Sequence, residues 1–226
     1  MDDYKNFLEL ENQGSILYIH ADKHNIFIVY EDMEDAKLYL FVLDKGFFIE
    51  AVHELRFPEE FKDADVEWLH WLNPRQTDIG TYVFRGVLSV DDVICHFQIN
   101  DKAEIILSDE EVQTNYNSVT QALHLEKPYI GDMVPEVFVR KQGKSHIAGV
   151  IYDNQGQPSQ VYCVVDTDKE SCLKRYTLRS DVGEINVNAI TVDTHDKRVY
   201  LAGEINRFNA DGSYQTSIPY MEMFLN

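Results

Sequence analysis

Apolar and polar positions alternate along almost the whole chain in short bursts, each closed by a cluster of turn-forming residues. SILYIHAD, NIFIVYED, AKLYLFVLD and FFIEAV follow one another from Ser15 to Val52, punctuated by DKHN, EDMED and DKG. Period-two alternation bounded by Asp, Asn and Gly predicts strands joined by hairpin turns. A second set runs DVEWLHWLN, IGTYVFRGVLS, DVICHFQIN and AEIILSD. A third runs PEVFVRK, SHIAGVIYDN, SQVYCVVDTD and SCLKRYTLR. The fourth is NAITVDTHD, RVYLAGEIN and SYQTSIPYMEMFLN. Helical periodicity is confined to PEEFKDADVEWL (58–69) and to 108–125, where Ser108 and Glu111 have the spacing of a capping box. The Pro128–Pro135 stretch marks a candidate boundary between halves.

The sets align. RGVL (85–88), AGVI (148–151) and AGEI (202–205) fall in register with VYED (29–32), which places Tyr30, Gly86, Gly149 and Gly203 at one repeat position, spaced 56, 63 and 54 residues apart. A glycine inside a strand weakens it unless backbones crowd there, so a recurring one marks a repeated close approach. Tyr30 breaks that pattern. The stretch NAITVDTHDKRVYLAGEI resembles the strand–turn–strand element of bacterial β-propeller repeats. Counting strands gives four antiparallel blades, at about 15–55, 65–108, 135–180 and 186–226 of one domain, with an N-terminal strand at 4–11 completing the last blade and removing an open edge. A pair of packed β-sandwich or barrel units would produce similar alternation. The expected class is all-β and propeller-like.

Charge alters the functional picture more than the structural one. With 39 acidic and 20 basic side chains the chain carries a net charge of −19. Phosphate recognition needs clustered Lys and Arg, so nucleic acid and anionic membranes are unsuitable partners. The opening MDDYKNFLELENQ has no apolar core of a signal peptide, and no apolar run is long enough for a membrane span. Three cysteines without a CxxC suit a reducing cytoplasm, with Cys95 and Cys163 in apolar runs as inert core thiols.

Motifs for chemistry are sparse. The eight histidines form no HExxH or HxH, and His20 and His24 do not share a strand face. No G-x-S-x-G elbow surrounds Ser145 and no glycine-rich phosphate loop occurs. VDTD (165–168), SVDD (89–92) and NADG (209–212) read as turns, without a metal or cofactor site. Trp68, Trp71 and Tyr82 read as core rather than as the floor of a sugar site. Two expectations follow. The first is a non-catalytic cytoplasmic binding module of the immunity or inhibitor type. It would hold a basic protein through acidic loops carrying Glu31, Asp32, Glu34, Asp35, Glu59, Glu60, Asp63, Asp65, Asp109, Glu110, Glu111, Asp166 and Asp168. The alternative is a hydrolase, a glycosidase or phosphoesterase, with paired carboxylates around a central channel.

Overall fold

The computed structural model describes residues 13–34, 36–61, 64–76, 82–91, 93–100, 102–108, 133–166 and 171–225, and leaves out the side chains at 60, 67–70, 72, 73, 75, 76 and 108. The described residues fold as an all-β, propeller-like chain of four antiparallel sheets. The first sheet contains β1 (Gly14–Ala21), β2 (Asn25–Asp32), β3 (Lys37–Asp44) and β4 (Ile49–Leu55) in sequence order. The second contains β5 (Val66–Gln76), β6 (Tyr82–Val90), β7 (Val93–Ile99) and β8 (Ile105–Ser108). The third contains β9 (Met133–Lys141), β10 (Lys144–Tyr152), β11 (Pro158–Asp166) and β12 (Ser171–Thr177). The fourth has β13 (Glu184–Asp193), β14 (Arg198–Phe208) and β15 (Tyr214–Leu225), with no fourth strand among the described residues. The strand expected at 4–11 lies outside those residues, as does most of the helix expected at 108–125.

The chain divides into two compact units, one of residues 1–52 with 127–226 and the other of 53–126. In the first unit the fourth sheet is buried on both faces. Ala189, Tyr200, Ala202 and Met221 pack with Ile16, Ile28, Tyr30 and Phe41 of the first sheet. Ile190, Val192, Leu201 and Tyr220 pack with Ala148, Tyr162 and Val164 of the third. The first strands β1, β13 and β9 touch one another from sheet to sheet, whereas the outer strands β4 and β12 are mostly exposed. Alternation along each strand therefore buries one face or both.

The second unit is the sheet β5–β8 with its own apolar side, where Trp71 meets Phe97 edge-on at 4.8 Å and Phe84, Leu88, Ile99 and Ile105 are buried. Trp71 thus serves packing. The helix expected at 58–69 is reduced to a single 3-10 turn, Glu59–Phe61, closed by the Phe61 amide on the Pro58 carbonyl at 2.9 Å. The chain then enters β5 at Val66, because the aromatic and branched residues of VEWLHW gain more from pairing with β6 than from a helix. The period-two facing expected of EWLHW is broken by an extra residue, Leu69, between the pairs Trp68–Leu88 and His70–Val87.

That extra residue recurs. Leu17 in β1, Glu136 in β9 and Asn188 in β13 are each one residue too many opposite the second strand. In these three sheets the bulge sits against the repeat position, Tyr30, Gly149 or Gly203. A bulge pushes a carbonyl out of line. A Cβ on Gly203 would lie 2.0 Å from the Asn186 carbonyl oxygen, and one on Gly149 would lie 2.2 Å from that of Val134. The interior glycines are there because the neighbouring backbone occupies the space of a side chain.

Candidate functional site

Two carboxylates stand one residue beyond this repeat position: Glu31 after Tyr30 on β2 and Glu204 after Gly203 on β14. Glu31 pairs with Ser15 of β1 and Leu38 of β3, and Glu204 with Asn186 of β13 and Pro219 of β15. Both are half-buried. Burial holds the Glu31 carboxyl above the usual carboxylate range, and the neighbouring charge of Glu204 raises it further. Asn186 Nδ2 donates to Glu204 Oε1 at 3.5 Å. Asn188, the extra residue of the β13 bulge, donates through Nδ2 to Ser15 Oγ at 2.9 Å and to the Ile16 carbonyl at 3.2 Å. The bulge turns that amide towards the first sheet and ties β13 to β1, the strands paired with those that carry the two carboxylates. The result is two interacting carboxylates on different sheets, with the Asn186 amide on Glu204.

Other polar groups in this unit complete the fold. Lys45 Nζ donates to the buried Asp193 Oδ2 at 2.5 Å and sits 5.8 Å from the Tyr200 ring centroid. Asp193 Oδ1 accepts the His195 and Asp196 amides at 2.9 and 3.3 Å. His146 Nδ1 meets the Tyr162 hydroxyl at 2.8 Å in the core of the third sheet. Burial, with help from Lys144, lowers its pKa to about 4, so the ring is neutral near pH 7. Burial likewise lowers His20 to about 4. Among the described residues no group of three or more His, Cys, Asp or Glu side chains could hold a metal ion. No helix among them is long and apolar enough to cross a membrane. In the second unit an open cleft of about 460 Å³ is lined by Arg56, Phe57, Pro58, Phe61, Glu104 and Ile105–Leu107, with one carboxylate in it.

The acidic residues expected to form a binding rim have other placements. Asp32 is buried, and its Oδ1 accepts the Glu34 amide at 2.9 Å, leaving Glu34 exposed beside it. Asp65 is exposed and gives its amide to Asp91 Oδ1 at 3.0 Å, and Glu59 is exposed on the 3-10 turn. Asp166 is half-buried, paired with Ser171 and Lys144 at the end of β11. Asp35, Asp63, Asp109, Glu110, Glu111 and Asp168 lie outside the described residues, as does the side chain of Glu60. Glu31 alone of the expected set enters the carboxylate pair. Its partner Glu204 is not in that set, although both follow the repeat position in VYED and AGEI, a signal present in the sequence.

No protein-family model matches the chain, and no curated protein does. Solved structures similar to it include an α-L-arabinofuranosidase from Clostridium thermocellum, with 10% identity and a TM-score of 0.29 over 90% of this chain and 72% of that one. A subtype N11 neuraminidase-like protein of A/flat-faced bat/Peru gives 9% identity and a TM-score of 0.30 over 91% of this chain and 59% of that one. A protein of unknown function from Dyadobacter fermentans gives 14% identity and a TM-score of 0.27, over 88% and 50%. The expectation of a non-catalytic binding module is corrected here. The named neighbours include a glycosidase and neuraminidase-like proteins. Within the expected acidic set, Asp32 is buried with its Oδ1 on the Glu34 amide, and Glu31 and Asp166 are half-buried.

Proposed function

We propose that the protein hydrolyses glycosidic bonds, with Glu31 as the proton-donating carboxyl and Glu204 as the second carboxyl. One observation carries this reading: a half-buried carboxyl whose proton is held by burial and by the charge of a second carboxyl on the adjoining sheet. Glycoside hydrolysis asks for that asymmetry, one group to protonate the leaving oxygen and another to act on the anomeric centre or on the attacking water. Glu31 gives its proton to the glycosidic oxygen as the C–O bond breaks, and Glu204 takes the second role. Asn186, against Glu204, is placed to hydrogen-bond a sugar hydroxyl next to the reacting bond.

The test is turnover of a panel of aryl glycosides by the full chain, with aryl phosphates alongside. Glu31→Gln and Glu204→Gln are each expected to lower kcat by about 100-fold or more. The alkaline limb of the pH–rate profile is expected to shift down in Glu204→Gln if that variant retains measurable rate. Failure to cleave any glycoside, or full activity in Glu31→Gln, overturns the reading. Cleavage of aryl phosphates alone overturns the substrate class.

A further inference from the structure

The third sheet carries a pair of thiols that the carboxylate site does not use. On the paired strands β11 and β12, Cys163 lies opposite Arg175 and Val165 opposite Cys172, with Leu173 as the extra residue between. Alternate residues of a strand share a face and cross-strand partners point the same way, so Cys163, Val165, Cys172 and Arg175 project from one side of the sheet. Both neighbours act on the Cys163 thiol, Cys172 raising its pKa and Arg175 lowering it. Cys163 is fully buried, packed with Met133, Ile147 and Val161. Cys172 is exposed, its thiol donating to the Lys174 carbonyl at 3.3 Å. One thiol is reachable from solvent and the other is buried, diagonally across the strand pair on the same face.

We propose that Cys163 and Cys172 form a two-thiol redox site that takes a small-molecule disulfide and closes a cross-strand disulfide. The Cys172 thiol loses its proton to solvent and its sulfur attacks one sulfur of the incoming disulfide, whose S–S bond breaks and releases the first thiolate. The Cys163 thiol then loses its proton, and its sulfur attacks Cys172 Sγ in the mixed disulfide, releasing the second thiolate. Two protein thiols are oxidised, one small-molecule disulfide is reduced to two thiols, and no other oxidant is needed. The Arg175 guanidinium stabilises the Cys163 thiolate as it forms. Burial and the neighbouring Cys172 nevertheless hold the Cys163 thiol up at about 11, so closure quickens with pH.

The experiment incubates the full chain with oxidised glutathione and reads its intact mass after acid quenching. The expected product is lighter by about 2 Da, one S–S bond in place of two S–H groups, and reverts with excess dithiothreitol. Peptide mapping is expected to join the segments bearing Cys163 and Cys172. Cys95→Ser is expected to behave as the unmodified chain, and Cys172→Ser to lose the reaction. Cys163→Ser is expected to stop with one glutathionyl group on Cys172. A stable glutathionyl adduct on the unmodified chain, no reaction there, or a 2 Da loss that survives in Cys172→Ser overturns the proposal. The mapped linkage in the unmodified chain decides the matter even if Cys163→Ser fails to fold.

Discussion

The first and fourth sheets meet the same geometric demand in opposite ways. In the fourth, the bulge at Asn188 drives the Asn186 carbonyl towards β14, and Gly203 yields the space there. In the first, the bulge at Leu17 faces Tyr30, one of the largest fully buried side chains of the described residues. The small residue has moved across the strand pair to Gly14, where a Cβ would lie 2.2 Å from the Tyr30 hydroxyl and 2.3 Å from the Glu31 carbonyl oxygen. The Tyr30 hydroxyl donates to the Gln13 carbonyl at 3.2 Å, and its ring meets Phe41 edge-on at 5.9 Å. What repeats is the crowding between first and second strands, and a sheet can relieve it from either side.

Four experiments would break or sharpen that contrast. The largest effect is expected from Tyr30→Ala, which leaves a ring-sized void between the first and fourth sheets and should cost about 4 kcal/mol in chemical denaturation. Gly203→Ala should cost about 3 kcal/mol, because the obstacle is backbone that cannot rotate away. A cost near zero there would end the close-approach account. Gly14→Ala should be comparably harmful alone but milder on a Tyr30→Ala background, since part of its clash is with the Tyr30 ring. A double-mutant cycle should show coupling of about 1 kcal/mol, and no coupling between Gly203 and Tyr30 of that kind. The smallest effect concerns the carboxylates. Glu31 binds its proton more tightly folded than unfolded, so that contribution is complete below its ordinary value of 4.5 and is lost as pH rises through its raised folded value. Glu31→Gln should remove this decline, and Glu204→Gln should only shrink it, because burial of Glu31 remains. Unchanged pH dependence in both variants would separate the two carboxylates.

Strands and turns were legible because a half-buried strand writes its faces into every second residue. The resemblance of residues 189–205 to a propeller repeat and the fold class rest on that regularity. Bulges were not legible. A single extra residue such as Asn188 shifts the alternation by one step, which a short strand cannot distinguish from an ordinary irregularity. The glycine positions hinted at the crowding without saying what crowded them. The carboxylate pair was hidden for another reason: Glu31 and Glu204 come together only when the fourth sheet packs against the first. Charge is the poorest guide, because the sign of an acidic side chain does not tell what its oxygens accept. The helix expected near residue 60 lost to strand pairing that no local window contains.

Those oxygens have a common task. Asp22, Asp44 and Asp153 each accept two backbone amides through one Oδ1 at 2.7–2.9 Å, and Asp211 accepts the Ser213 amide at 2.9 Å. Asn100 does the same for Lys102 and Glu104 at 2.9 Å with no charge at all. Turn geometry therefore requires an oxygen, not an anion. Part of the negative charge of the chain is then an adjustable property laid over a fixed scaffold. Exchanging Asp for Asn at these corners would raise the isoelectric point and alter solubility while each hairpin kept its shape, so electrophoretic mobility and fold can drift independently of one another.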